Sequence, residues 1–292
     1  MFRIAGVLLV SIMASCAKPG SSPAKVDPAL LSMIPPDTIL LAAVDADGLR
    51  KTQLYQKQLG QRDYPQLDEF SRYTGMDPRK DLWELLFVSD GKHNVLLGRG
   101  RFREDMESHL QGQGAQVIPY KMYHLVAKDG GAVVFLSGST AAVGEVESLK
   151  ALLDARGKTN GPPAAIAEQM KTIPASSQIW IVYTGGGAKL PFDLKGNLGN
   201  ADRVAQSVQT ATLFFDVSNG VKGQARLLTP AEADGKKLNE TIRGLIGFGR
   251  LSVPSNKPDL VRLFDGLQVT QEGTKVTLNI DVAQDLIEEF LK

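Results

Sequence analysis

The chain contains very little cysteine and histidine, and its N-terminal hydrophobic run is short. Among its 292 residues there are one cysteine, Cys16, and three histidines. A single cysteine cannot form a disulfide within the chain, so an exported form of the protein must be held together by its buried core. The apolar run at residues 4–14 is 11 residues long, whereas a transmembrane helix needs about 20 apolar residues.

Neither sign of charge is in excess. The sequence has 33 basic and 32 acidic residues. Proteins that bind nucleic acids carry a cationic face that displaces counterions from the phosphates. The densest basic patch, Arg99, Arg101 and Arg103, is followed directly by Glu104 and Asp105, which indicates a local salt-bridged edge. We therefore predict no nucleic-acid partner.

The motifs of catalytic and cofactor sites are incomplete. His93, His109 and His124 form neither a His-x-His nor a His-Glu-x-x-His pair, so they do not have the spacing of a zinc site. The segment Gly98-Arg99-Gly100 offers only part of a dinucleotide-binding motif, because the third glycine is missing. We predict no catalytic residues, no cofactor and no metal, and hence that the protein is not an enzyme.

The N-terminus has the features of an export signal. A basic residue, Arg3, precedes the apolar run and Cys16 follows it, an order that is typical of a secretory signal. The segment Met13-Ala14-Ser15-Cys16 is similar to a bacterial lipobox, whose cysteine is lipidated and becomes the new N-terminus. We therefore expect lipidation of Cys16, with ordinary cleavage after Ala17 as the alternative.

A lipidated Cys16 would place the protein at a membrane. Each acyl methylene buried in the bilayer contributes about 0.8 kcal/mol, so that several acyl chains together anchor a protein firmly. We expect an exported protein of the cell envelope, with a periplasmic or extracellular ectodomain that is tethered to the membrane through its N-terminal lipid.

One pattern occurs twice along the chain. Ile34-Pro35-Pro36 precedes an apolar strand-like run at 39–44, and Ile173-Pro174-Ala175 precedes a second such run at 178–183. The prolines of the two corners, Pro35 and Pro174, are 139 positions apart. The sequence therefore predicts an internal duplication.

The duplication predicts the organisation of the chain. The predicted segments are a signal peptide at 1–16, a flexible tether at 17–27, a first α+β repeat at 28–157, a linker at 158–163 and a second α+β repeat at 164–292. Each repeat contains two hairpin patterns, which favour a mostly antiparallel sheet with helices packed on one side. The predicted fold class is α+β, with two tandem copies of such a sheet that form either two sheets or one.

Periodicity and turn residues predict the elements of each repeat. The predicted strands are 39–44, 83–88, 94–98, 120–127 and 132–136 in the first repeat, and 179–183, 213–217, 221–228, 267–270 and 275–280 in the second. The predicted helices are 49–59, 67–73, 102–110, one capped by Ser139 or Thr140 and ending before Gly157, 201–208, 231–248 and one after Asp281.

Part of the first repeat resembles a known type of sequence. Gly75-Met76-Asp77-Pro78 is followed by Leu85-Leu86-Phe87-Val88 and by Gly98-Arg99-Gly100-Arg101-Phe102. This order resembles an uncharacterised family of secreted or lipid-anchored bacterial proteins of unknown function, which have a Gly-x-Asp-Pro corner, a hairpin and a Gly-Arg-Phe helix start. The second repeat lacks the Gly-x-Asp-Pro corner. The resemblance implies export, and it implies neither an activity nor catalytic residues.

Three functions are compatible with these patterns. The first is a non-catalytic, membrane-anchored envelope lipoprotein whose ectodomain binds or scaffolds, with another envelope protein as its partner. The second is a periplasmic carrier of an apolar ligand or lipid. The third is an enzyme with a dispersed site, for which Asp45, Asp47, His93 and His124 are the candidate residues. Within the first function, the ectodomain is either a scaffold for another envelope protein or the holder of a ligand between the repeats, because clefts between such units commonly hold sites.

Overall fold

The structure is an α+β fold built on one large antiparallel sheet. It is a computed structural model, and it describes residues 26–60, 63–158, 161–186, 207–256 and 258–290. The strands are β1 Leu40–Asp45, β2 Leu82–Ser89, β3 Asn94–Gly100, β4 Gln116–Tyr120, β5 Tyr123–Lys128, β6 Gly131–Ser137, β7 Thr140–Gly144, β8 Ile179–Tyr183, β9 Thr210–Asp216, β10 Val221–Leu228, β11 Leu267–Glu272 and β12 Lys275–Val282.

Helices of varied length connect and cover these strands. The α-helices are α1 Pro28–Leu31, α2 Ala46–Arg50, α3 Pro65–Thr74, α4 Pro78–Asp81, α5 Met106–Gly112, α6 Val146–Ala155, α7 Ala164–Met170, α8 Glu232–Leu251, α9 Val261–Asp265 and α10 Gln284–Phe290. A π-helical turn covers Tyr55–Leu59, and a 3₁₀ turn covers Pro258–Leu260. Among the described helices, none combines the length and the apolar composition that crossing a membrane requires.

All twelve strands belong to a single sheet. Their order is β11-β12-β10-β9-β8-β1-β2-β3-β7-β6-β5-β4, and every neighbouring pair is antiparallel. Strands from residues 28–157 form one half of the sheet, and strands from residues 164–292 form the other. The question of one sheet or two is therefore answered in favour of one, with β1 and β8 as the pair that joins the halves.

The two halves have the same strand order outward from this seam. On one side the order is β1, β2, β3, β7 and β6, and on the other it is β8, β9, β10, β12 and β11. The seam is also symmetric in register, because Ala42 lies opposite Ile181 and these residues are 139 positions apart, the spacing of the two Ile-Pro corners. The hairpin β4–β5 lies outside this correspondence, at the edge of the first half.

An apolar row crosses the whole sheet on one face. Residues in direct register on adjacent strands form it, from one edge to the other. In sheet order these are Val117, Val126, Val133, Val143, Leu96, Phe87, Ala42, Ile181, Leu213, Ala225, Leu278 and Val269. We call the face that carries this row the α8 face, and the opposite face the α6 face.

Helices lie on both faces of the sheet, so the prediction that they pack on one side is wrong. On the α6 face, α1, α6 and α7 pack onto the main core, which includes Leu41, Leu97 and Leu125. On the α8 face, α5 packs with Val126, and α8 packs with Val269. Because neighbouring strand residues point to opposite faces, the adjacent pair Leu125 and Val126 belongs to two different cores. The physical reason is that several strands are apolar on both sides and need two covering layers.

One predicted helix begins later than expected. Ser139 and Thr140 do not cap a helix, because Thr140–Gly144 is strand β7, paired with both β3 and β6, and α6 begins at Val146. A side chain at Gly144 would approach the carbonyl oxygen of Asn94 to 2.8 Å, so this strand depends on a glycine for its close pairing. Val143, Val146 and Leu149 have the spacing of one helix face. Only Val146 and Leu149 lie in α6, whereas Val143 belongs to β7.

Other boundaries also differ from the predictions. The helix expected at 49–59 is divided into α2 and the π-helical turn, and α5 begins at Met106 instead of position 102. The predicted strand at 120–127 is two strands, β4 and β5, around Lys121, whose φ is 54°. The sequence also suggests that the turn at Asp129-Gly130 corresponds to the turn at Glu272-Gly273 in the second half. This correspondence is wrong, because the Asp129 turn joins β5 to β6, whereas β6–β7 occupies the place that β11–β12 occupies in the other half. The predicted helix at 201–208 lies mostly outside the described residues.

Candidate functional site

An apolar cavity of about 410 Å³ lies on the α8 face of the first half. Its size is within the range of pockets that hold small molecules. One wall is the sheet, through side chains that include Leu85, Leu96, Val133 and Val143. The other wall is helical and is described next. We call this feature the apolar cavity.

The helical wall of the apolar cavity is built by α3, α5 and the loop between α3 and α4. Helix α3 begins with a proline at its first turn and ends at Gly75, whose φ of 73° suits glycine. The chain can then turn so that Met76 faces the sheet together with Met106 and Leu110 of α5. The Nε2 group of His109 hydrogen-bonds to the carbonyl oxygen of Tyr73 at 3.1 Å, which joins the two helices.

The apolar cavity is open to solvent at part of its rim. Phe70 is 42% exposed, Leu96 37% and Val143 47%, and all three line the cavity. Leu96 and Val143 are direct neighbours in the apolar row. Scattered exposed apolar residues are normal on a protein surface, whereas several that converge on one concave site indicate binding.

Polar groups in the walls of the apolar cavity are few. Among the described residues that line it, Lys128 is the one that carries a charge. The Lys128 Nζ atom lies 4.6 Å from the centre of the Tyr73 ring and donates a hydrogen bond to the carbonyl oxygen of Gln113 at 2.8 Å. The Tyr73 hydroxyl is buried and has no hydrogen-bond partner within the described part of the chain. The cavity is therefore apolar, with one cation and one phenol next to each other where the sheet meets the helical wall.

A second cavity, of about 470 Å³, lies on the α6 face and is more polar. Two of the carboxylates that line it, Asp90 and Asp154, already have partners in the fold. Asp90 accepts hydrogen bonds from the backbone N–H groups of Lys92 and His93, and its Oδ2 atom lies 2.7 Å from His93 Nδ1. Asp154 accepts a hydrogen bond from the Tyr120 hydroxyl at 2.9 Å. Since these two carboxylates are engaged by groups of the fold, the apolar cavity is the better candidate for a ligand.

The residues considered for a dispersed enzyme site are not brought together. Asp45 caps α2 by accepting a hydrogen bond from Gly48 N at 2.8 Å, and Asp47 forms an ion pair with Arg50. His93 lies at the opposite end of β2 from Asp45, since the Leu40 end of β1 pairs with Ser89 and its Asp45 end with Glu84. His124 lies on β5, where its Nδ1 atom is 2.7 Å from Glu107. Cys16 lies outside the described residues.

A partly buried ionic cluster fastens the start of the described chain to the sheet. The backbone N–H of Asp27 donates to Glu84 Oε2 at 3.1 Å, and Arg99 Nε donates to Asp27 Oδ2 at 2.9 Å. Arg99 also donates to the hydroxyls of Ser139 and Thr140. Burial raises the pKa of Glu84 to about 7, with a further rise from the nearby Asp27 and Asp45 carboxylates. This cluster positions α1 and the beginning of the fold.

Sequence reasoning missed the residues of the apolar cavity. The available signal was that β2 and β3 are apolar on both faces, as Leu85-Leu86-Phe87-Val88 and Val95-Leu96-Leu97 show. Such strands require cover on both sides. Which strand residues the helices cover, and which they leave at a cavity, depends on tertiary placement. The cavity also lies within the first half, and not between the halves where a ligand was expected.

In fold, the chain is similar to crystal structures of TP0453. Crystal form I matches with a TM-score of 0.50 and 11% sequence identity, over 91% of this chain and 97% of that one. Crystal form III matches with a TM-score of 0.51 and 12% identity, over 91% of this chain and 98% of that one. At this identity the similarity concerns the fold alone. No model of a protein family matches the chain, and no curated protein matches it in sequence.

Proposed function

We propose that this protein is a non-catalytic, membrane-anchored envelope protein whose ectodomain binds an apolar ligand in the apolar cavity. The observation that carries the proposal is the cavity itself, of about 410 Å³ and lined almost wholly by apolar side chains. Removing apolar surface of a ligand from water stabilises the complex by about 25 cal/mol per Å². Pockets of this character, mostly apolar with a few polar groups, are the ones that bind small molecules.

The partly exposed rim is consistent with exchange of a ligand. Leu96 and Val143 are in contact with solvent in the absence of a ligand, and a bound apolar molecule would cover them. The α3 helix has no fully buried residue. Its end at Tyr73 is joined to α5 by the hydrogen bond from His109, and its Phe70 and Tyr73 side chains line the cavity. A ligand would therefore add packing to α3.

The cellular localisation in this proposal is inferred from the N-terminal sequence. Export through the signal at 1–16 and lipidation of Cys16 would leave the folded part on a short tether beside a membrane. A carrier in this position can receive an apolar molecule from the membrane, or from another envelope protein, and shield it from water. Another envelope protein is therefore the proposed macromolecular partner.

We also propose that the two halves arose by duplication of one α+β unit. Support comes from the common strand order on the two sides of the seam and from the register of Ala42 with Ile181 at the spacing of the Ile-Pro corners. In this proposal the hairpin β4–β5 is an addition to the first copy. Because β5 contributes Val126 and Lys128 to the apolar cavity, the addition would have created the site in one copy only.

Binding of a neutral apolar probe tests the proposed function. The full chain with Cys16→Ser, which removes the proposed anchor, is titrated with the fluorophore phenylnaphthylamine. We expect saturable binding that Val143→Thr weakens about threefold or more, since a methyl group in the cavity becomes a hydroxyl. Val143 is 47% exposed, so its replacement should leave the fold intact.

The matched control is Leu228→Gln. Leu228 is 41% exposed and lies on the α6 face, away from the apolar cavity. This variant should bind the probe as the parent chain does. The proposal is contradicted if the probe does not bind saturably, or if both variants lose affinity to the same extent.

A further inference from the structure

We infer that the apolar cavity selects single-chain amphiphiles with an anionic headgroup, which Lys128 and Tyr73 recognise. This inference rests on the proposed function and specifies the class of its ligand. Apolar walls alone would accept any molecule of suitable size. The polar groups in a pocket of this kind determine which end of a ligand goes where.

The first argument is charge. Lys128 carries the only charge among the residues that line the cavity. Its ammonium group has three donors, of which one is used by the carbonyl oxygen of Gln113. No carboxylate of the described residues forms an ion pair with Lys128 in the structure. An anionic headgroup would supply that missing counter-charge and accept the remaining hydrogen bonds.

The second argument is an unsatisfied hydroxyl on the tyrosine that packs against Lys128. The Tyr73 hydroxyl is buried without a hydrogen-bond partner in the described part of the chain, which is costly for a polar group. The Tyr73 ring lies directly beneath the Lys128 ammonium, at 4.6 Å. A carboxylate or phosphate beside Lys128 has several acceptor oxygens, so it can accept from both groups at once.

The third argument is the position of these donors relative to the rest of the cavity. Lys128 is the exposed last residue of β5, whereas Val126, two positions earlier on the same face, is buried against the helical wall. A headgroup at Lys128 therefore stays close to water while its chain extends along the sheet side chains towards Leu96. In this arrangement the charged headgroup remains near solvent, and only the apolar chain of the ligand is buried.

The experiment compares ligands that share a chain but differ in headgroup. The full chain with Cys16→Ser is titrated calorimetrically at neutral pH with decanoate, decanol and acetate. We expect decanoate to bind about tenfold more tightly than decanol, the effect of one charge-assisted hydrogen bond. Acetate should not bind measurably, because it lacks the apolar chain.

Variants assign the difference to the named residues. Lys128→Met keeps the apolar stem and removes the charge, so decanoate should lose about tenfold in affinity while decanol is unchanged. Lys128→Arg should retain the preference for decanoate. The matched control is Lys92→Met, an exposed lysine on the β2–β3 turn, which should bind both ligands as the parent chain does.

Tyr73→Phe gives a readout that a purely structural role would not produce. Removing a buried hydroxyl without a partner should raise the thermal stability of the ligand-free protein. The same change should reduce the affinity for decanoate several-fold and leave decanol unaffected. A gain in stability together with a loss of headgroup preference is expected.

Three outcomes contradict the inference, and they are distinguishable. Equal affinity for decanoate and decanol, in the parent and in Lys128→Met, overturns the headgroup selection and leaves the proposed apolar binding intact. Absence of binding by both ligands overturns the two proposals together. A dimer in solution that shields Leu96 and Val143, with no ligand bound, would assign the cavity to a second copy of the chain and would also overturn them.

Discussion

At the scale of single residues, the structure separates neighbours that are similar in the sequence. Leu96 and Leu97 are adjacent on β3, but Leu97 is completely buried in the core of the α6 face, and Leu96 lines the apolar cavity on the other face. Alternation along a strand explains why two leucines have different roles. Sequence alone predicts that they lie on opposite faces, but it does not predict which face carries a cavity.

The Glu84 carboxyl predicts a pH dependence of stability. Its pKa in the folded protein is about 7, against an ordinary value of 4.5, because it is buried. Between these two pH values the folded protein holds a proton that the unfolded chain releases, so the free energy of unfolding falls as pH rises through this window. Above pH 7 the full penalty of an ionised, partly buried carboxylate is present.

Glu84→Gln should remove this part of the pH dependence. The variant stays neutral, so its free energy of unfolding should decline less between pH 5 and pH 8, by about 1 kcal/mol after allowance for partial solvent screening. Urea unfolding at several pH values measures the difference. Glu147→Gln, at a largely exposed carboxylate, is the control and should follow the parent chain. Parallel curves for Glu84→Gln and the parent would contradict the assignment.

At the scale of elements, turns and hairpins were predicted better than helix starts. The corners, β1, β8 and the hairpins β2–β3, β9–β10 and β11–β12 lie where the sequence predicts them, because glycine-containing turns between apolar runs are local signals. The strand β7 was missed. Its sequence, Thr140 to Gly144, has no turn residue before the helix stripe begins, and its strand conformation depends on pairing with β3 and β6, which are distant in sequence.

The glycines of α8 offer a test at the same scale. Gly247 has open space where a side chain would begin, whereas a side chain at Gly249 would clash with the ring of Phe264 in α9. Gly247→Ala should therefore raise the free energy of unfolding by about 0.5–1 kcal/mol, the helix preference of alanine over glycine.

Gly249→Ala is the matched comparison in the same helix. It has the same intrinsic helix preference, but the Phe264 ring must move, so the gain should vanish and the variant should be less stable than Gly247→Ala. Thermal unfolding of the two variants and the parent provides the measurement. Equal stabilisation by both substitutions would show that α9 does not pack on Gly249 as described.

At the scale of the whole molecule, the continuous sheet connects the two halves by backbone hydrogen bonds. The β1–β8 pair joins them through the backbone, with Trp180 opposite Ala43 in the buried core of the α6 face. Contacts between side chains of the two halves, such as Lys57 with Glu288 at 3.4 Å, add to the seam. The proposed duplication rests on two short corners that the sequence already shows, whereas the joining of the two halves in one sheet depends on pairing between strands far apart in the sequence.

The anchor makes a prediction for the whole protein in the cell. Cys16→Ser should move the protein from the membrane fraction to the soluble fraction, because the acyl chains that would hold it cannot be attached. Fractionation followed by mass determination of the mature N-terminus provides the measurement. A parent protein that is already soluble and is cut after Ala17 would contradict lipidation.

If the two halves arose by the proposed duplication, the symmetric register at the seam indicates how the fold could have begun. A chain that ended after α6 would leave β1 as a bare sheet edge, which readily pairs with another strand. Two such half-length molecules could pair their β1 strands antiparallel, with Ala42 facing Ala42, in the geometry that now sets Ala42 against Ile181. Joining the two genes would turn an association that depends on concentration into a permanent one, and would free one copy to acquire a pocket while the other kept the scaffold.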